Sequence, residues 1–104
     1  MTDRELLELA AKAAGIEVAT AHRHGLFLAS AKWWNPLTDD GDALRLAVKL
    51  QMIVNIDPTE SQAGNGYRDD ECELHRGSNP RAATRRVIVR AAAEIGKAMD
   101  GGAT

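Results

Sequence analysis

Apolar side chains recur along the chain at two spacings, every third or fourth residue and every second residue, and the switches between them predict the elements. Thr2 with Glu5 three positions later forms a capping box, after which Leu6, Leu9, Ala10 and Ala13 keep helical spacing until Gly15 offers a stop. A helix is therefore predicted over about residues 3 to 14, with Glu8 and Lys12 one turn apart on its polar side. In IEVATAHRHGLFLAS, β-branched residues precede HRHG and an apolar run follows it, which predicts two short strands around a turn at Gly25. Alternation sets Leu26, Leu28 and Ser30 on one face and Phe27, Ala29 and Ala31 on the other, the pattern of an interior strand covered at least in part on both sides.

The stretch WWNPLTDDGDALRLAVKL joins a tryptophan pair to a helix start. Pro36 drives Asn35 towards extended backbone and ends the strand, while Thr38 or Asp39 can cap the next helix. Ala43, Leu44, Ala47, Val48 and Leu50 are expected to form its buried stripe, with Arg45 and Lys49 on the wet side. Asp39, Asp40 and Asp42 fall at the positive end of the helix dipole. QMIVNIDP is a β-rich run closed by Pro58, TESQAGNG reads as a turn or mobile loop, and YRDDECEL reads as an edge strand or irregular loop. In the last third, Asn79 as N-cap and Pro80 at the first helical position begin a helix running to about residue 99. Ala83, Val87, Ala91, Ile95 and Met99 line its apolar face beside Thr84, Ile88 and Ala92, and Gly101 and Gly102 release the tail. The predicted fold is α+β: a small, largely antiparallel sheet of three to four strands packed with three helices as an α-β-α sandwich.

Composition narrows the class. With 44% hydrophobic and 27% charged residues in 104, the chain reads as one globular domain spanning residues 1 to 104. Its core must be light, because Phe27, Trp33, Trp34 and Tyr67 are the whole aromatic complement. A net charge of −2 argues against nucleic-acid binding by overall charge. Cys72 is the single cysteine, so no internal disulfide is available and the expected compartment is the cytoplasm. MTDRELLELAAKAAG lacks the apolar run of a signal peptide, and no stretch approaches the length of a membrane span.

Three blocks, MTDRELLELAAKAAGIE, WNPLTDDGDALRLAVKL and NPRAATRRVIVRAAAEIGKAM, resemble the small bacteriophage proteins of the phage ABA sandwich domain family, with a looser similarity to the phage protein NinX. They cover about half of the chain, and WNPL followed by an acidic turn and an amphipathic helix is the most specific of them. The resemblance implies a phage or prophage origin, hence a host bacterial cytoplasm, and a sheet sandwiched by helices; it implies no catalytic residue or cofactor. HRHG and residues 58 to 76 depart from the family pattern.

Candidate chemistry is sparse. His22 with His24 and Cys72 with His75 supply four ligands of types that zinc accepts, although strand geometry sends Cys72 and His75 to opposite faces. The three aspartates before the second helix lack the ligand spacing of an EF-hand, and capping accounts for them. Ser30, His22 and Asp57 have no motif that positions them as a hydrolase triad, and GNG is not a phosphate loop. Between residues 76 and 99, Arg76, Arg81, Arg85, Arg86, Arg90 and Lys97 face only Glu94, either as a basic patch for phosphates or as partners of the acidic segment around residues 57 to 73. Trp33 and Trp34 should point to opposite faces, one beneath a helix and the other an anchor for a partner or a second copy. The leading expectation is a non-enzymatic phage accessory protein that binds a host or phage protein through Trp33, Trp34, Arg81, Arg85, Arg86 and Arg90, without a cofactor. Nucleic-acid binding by the basic helix comes second, and a zinc module or metal-dependent enzyme using His22, His24, Cys72 and His75 third.

Overall fold

The structure, a computed structural model, describes residues 2–65, 71–75 and 79–102. The elements run α1 (Asp3–Ala14), β1 (Val18–His22), β2 (Gly25–Leu28), β3 (Trp33–Trp34), α2 (Asp40–Lys49), β4 (Ile53–Ile56), β5 (Glu60–Gly64), β6 (Glu71–Leu74) and α3 (Pro80–Gly102). The class is α+β with three helices, as the spacing predicts. The strands fall into two antiparallel sheets of three, ordered β1-β2-β3 and β4-β5-β6, instead of sharing one sheet. Each sheet pairs only strands adjacent in the chain through short connections, so no crossover is needed to build it.

The helix ends follow local chemistry. Thr2 and Glu5 close the capping box of α1, and Gly15, at φ 70°, ends it with its N–H on the Lys12 carbonyl while Ile16 N–H reaches Ala11. Asp39 caps α2 by accepting from Asp42 N–H, and Asn79 caps α3 by accepting from Ala82 N–H. The far end of α2 closes in the same way as α1, with Gln51 N–H on Val48 and Met52 N–H on Ala47, but Gln51 takes the left-handed φ of 54° without being glycine. Helix α3 continues through Gly102, past the stop expected near residue 99. On α1, Glu8 pairs with Arg4 at 3.7 Å, one turn before it.

Helix α3 is the hub, packing against α1, α2, β5 and β6. Val87, Val89, Ala92 and Ala93 of α3 are buried together with Leu7, Ala10 and Ala11 of α1, Leu26 and Trp34 of the first sheet, Leu46 of α2 and Ala63 of β5. Each fully buried Leu or Val among them stabilises the fold by about 1.5–3 kcal/mol. The two long helices meet at a glycine: a Cβ on Gly96 would lie 2.2 Å from the Leu9 carbonyl oxygen.

Three expectations change. The run TESQAGNG contains strand β5, whose inward residues are Ser61 and Ala63; small and polar, they leave no hydrophobic alternation to read. In α2 the buried residues are Ala43, Leu46 and Ala47, while Leu44 and Val48 stand 64% and 67% exposed. The apolar arc of this helix is wider than its neighbours can cover, and spacing alone cannot say which edge stays wet. Strand β2 is the central strand of its sheet but stops at Leu28, so Ala29, Ser30 and Ala31 form a turn with Ala31 at φ 64°. Of YRDDECEL, Glu71–Leu74 is the edge strand β6; Tyr67, Arg68, Asp69, Asp70 and also Arg76 lie outside the described residues.

Candidate functional site

The WNPL block is a structural junction. Trp34 is buried in the core and Pro36 is fully enclosed, while Asn35 connects three segments. Its amide donates to the His24 carbonyl at 2.9 Å, its side-chain oxygen accepts from Leu37 N–H at 3.0 Å, and its backbone N–H donates to Asp42 at 3.0 Å. Gly25 completes the junction: at φ 133° it lies so close that a Cβ would meet Trp34 O and Asn35 Cβ at 2.9 Å. Trp34 is thus a packing residue, which removes it from the expected partner-binding set. Trp33, its neighbour on the opposite strand face, is 59% exposed and remains.

The aspartates before α2 have protein partners. Asp42 accepts from Arg45 at 2.7 Å, and Asp40 binds Arg85 at 2.5 Å with Arg81 at 3.8 Å. Arg85, only 17% exposed, also donates from Nε to the Leu37 carbonyl at 2.8 Å and so clamps the start of α2 to α3. Arg86 reaches Asp3 at 3.3 Å. Arg90 divides its guanidinium between Glu71 at 2.8 Å and Glu73 at 2.6 Å, both on the face of β6 turned towards α3. All four arginines of the expected basic face therefore have carboxylate partners, but only Arg90 finds them in the acidic segment; Arg81 and Arg85 pair with Asp40 of α2 and Arg86 with Asp3 of α1. Such pairs are poor phosphate sites, because a phosphate would have to displace a carboxylate already in place.

The four candidate zinc ligands are not brought together. His22 and His24 belong to the first sheet and its hairpin turn, Cys72 and His75 to the second sheet. Cys72 hydrogen-bonds Glu60, an interaction that, with burial adding to it, pushes the thiol pKa up. The imidazole of His75 instead turns beneath α3: its Nε2 lies 2.7 Å from Ser61 Oγ, and Ser61 Oγ lies 2.7 Å from Thr84 Oγ1. Because Thr84 donates to the Pro80 carbonyl at 2.8 Å, Ser61 donates to Thr84 and accepts from His75 Nε2–H, leaving Nδ1 buried with no partner among the described residues. Among the described residues, no three His, Cys, Asp or Glu side chains form a metal-binding group.

Catalytic geometry is likewise not assembled from the named residues. Ser30 and His22 lie in the first sheet and its turn, whereas Asp57 follows β4 in the second. Ser61 and His75 make a close pair, but Ser61 is fully buried and its hydroxyl proton is engaged by Thr84. Asp57 accepts from Thr59 N–H at 2.7 Å, Thr59 Oγ1 at 3.0 Å and Glu60 N–H at 2.8 Å, which pulls its carboxyl below the usual 3.8.

An apolar groove of about 300 Å³ opens where α2, β4 and α3 meet. Leu44 and Ala47 form one wall, Val54 and Ile56 the other, Ile88 lies along α3, and Asp40, Arg81 and Arg85 mark the charged end. Leu44 and Ile56, the latter 60% exposed, stand at its mouth, and Val48 extends the surface by one helical turn. Helical spacing predicts Leu44 and Val48 in the core; the signal that they are not is an apolar arc in α2 too broad for one contact face. No family model, curated protein or solved structure matches the chain. No helix among the described residues is long and apolar enough to cross a membrane.

Proposed function

We propose that this chain is a non-enzymatic accessory protein of bacteriophage type that works by binding another protein. The observation carrying this reading is the groove between α2, β4 and α3, where aliphatic side chains that an isolated domain would bury stand open to solvent. Burial of Leu44, Val48 and Ile56 against a partner supplies about 1.5–3 kcal/mol each before ordering costs, enough for a specific contact of ordinary strength. An amphipathic segment of the partner, its apolar stripe in the groove and an acidic residue beside the outlying Arg81, fits this surface. The three sequence blocks that resemble the phage ABA sandwich domain family support the phage origin, and with it action in the host cytoplasm. Trp34, Arg86 and Arg90 lie outside this groove, and Arg85 borders it only as the clamp that holds α2 to α3.

The test is capture from nuclease-treated bacterial lysate by tagged wild-type protein and by Leu44→Glu/Val48→Glu. Both positions are exposed, so the variant should keep its helical circular dichroism and melting temperature. A stoichiometric protein retained by wild type and lost by the variant supports the reading; equal capture by both, or none by either, refutes it.

A further inference from the structure

The first sheet carries an open face of different character. Thr20 of β1, Phe27 of β2 and Trp33 of β3 are register partners in one row, so their side chains share a face, and His22 follows Thr20 by two residues onto it. Ala21, Leu26 and Trp34 take the opposite, inward side. The Trp33 ring centroid lies 5.1 Å from Phe27 and 5.1 Å from His22, inclined at 54° and 66°. Three rings on three neighbouring strands thus form an aromatic face with Trp33 its most exposed hydrophobic member.

The charge around this face is unlike that of α3. Arg23 and His24 form the hairpin turn beside His22, and Lys32 immediately precedes Trp33; all three are exposed. Neither Arg23 nor Lys32 forms an ion pair with a described residue, whereas Arg81, Arg85, Arg86 and Arg90 all do. His22, Arg23 and His24 also border a basin of about 460 Å³ at the hairpin end of the sheet, whose other wall comes from α1 and the segment around Asn35. The acid on its rim, Asp3, is occupied by Arg86.

We propose that this face binds single-stranded nucleic acid, with bases stacked on Trp33 and Phe27 and the backbone phosphates against Arg23, Lys32 and the His24 side of the basin. Every base offers a π-face to such a row, and unpaired cations at its edge attract phosphate without first breaking an internal ion pair. The same reasoning excludes duplex, whose bases are already stacked and whose grooves a two-residue strand with a single exposed tryptophan does not enter. A protein anchor at Trp33 would favour an apolar surround that excludes water, and the surround here is cationic. This site lies apart from the α2–β4–α3 groove and stands or falls independently of it.

Titration of the intact chain with oligo(dT) and oligo(U) of about twelve nucleotides, at low salt, tests the proposal by tryptophan fluorescence. Saturable quenching is expected from Trp33 over a constant background from buried Trp34. Trp33→Ala should weaken binding, followed by anisotropy of labelled oligonucleotide, by roughly 10- to 100-fold. Arg23→Ala/Lys32→Ala, at exposed positions, should lower the slope of log affinity against log salt by roughly 0.7 for each phosphate contact removed. Absence of binding at low salt, or equal affinity for duplex, overturns the proposal. So does full affinity in folded Trp33→Ala, as does loss confined to Arg81→Ala/Arg86→Ala, which would return the site to α3.

Discussion

Replacing Gly96 by alanine sets two well-understood effects against each other. In an isolated helix the change is favourable by about 1 kcal/mol, because glycine loses more backbone freedom on ordering. At the α1–α3 crossing, however, the new Cβ would stand 2.2 Å from Leu9 O, 2.9 Å from Leu9 C and 3.3 Å from Leu9 Cα. These are backbone atoms, so no rotamer change relieves the overlap, and the helices must separate by about 1 Å to restore ordinary contact. A gap of that size forfeits a quarter to a half of each dispersion contact along the crossing, where Leu6, Ala10, Ala92 and Ala93 are buried. Overpacking of this kind costs typically 1–3 kcal/mol and more when the backbone must move, so the net effect is a destabilisation of about 2 kcal/mol, or a fall in Tm of about 10 °C. Urea titration followed by circular dichroism, with the thermal melt beside it, measures both. Gly41→Ala is the internal control: it lies in the first turn of α2, where the new methyl meets only the side chains of Arg45 and Asp39 at 3.2 Å, and should leave stability unchanged or raise it slightly. If Gly96→Ala were as stable as wild type or more so, the close crossing of α1 and α3 would be wrong.

Other outcomes follow from local chemistry. Gln51→Gly should stabilise the chain by about 1 kcal/mol in urea denaturation, since glycine occupies the left-handed end of α2 without steric penalty. Arg85→Ala should destabilise by about 1.5–3 kcal/mol, with Arg85→Lys recovering only part because one ammonium cannot hold both Asp40 and the Leu37 carbonyl in the geometry of the guanidinium. Asp57 titrates below its unfolded value through the Thr59 and Glu60 N–H bonds, so its ionised form stabilises the native state above about pH 4 and that contribution is lost as pH falls through the lower native pKa. Urea midpoints collected down the acid limb should therefore fall less steeply for Asp57→Asn than for wild type.

Elements whose inward residues are large and apolar were legible in the sequence, as were the capped helix starts at Thr2, Asp39 and Asn79. Strand β5 was hidden because Ser61 and Ala63 face α3, and the burial of a serine there depends on Thr84 and His75, residues distant in the chain. The exposed edge of α2 was hidden for the opposite reason: its residues look like core, and only the positions of β4 and α3 leave them uncovered. The arginines of α3 were visible as a charge run, but their partners, Asp3, Asp40, Glu71 and Glu73, come from three other elements that spacing cannot bring into register. The aromatic row on the first sheet was equally invisible, since Phe27 and Trp33 become neighbours only through the β2–β3 register.

The central place of α3 has a consequence for the order of assembly. During synthesis, α1, α2 and both sheets leave the ribosome before the helix that covers them, with Leu7, Leu46 and Ala63 still lacking their principal contact. Asp3 meets Arg86 across 83 positions and Asp40 meets Arg85 across 45, so these ion pairs close only at the end. The nascent chain consequently exposes apolar surface and an excess of negative charge until α3 emerges, and it acquires its native shape in a late, largely concerted step rather than piece by piece.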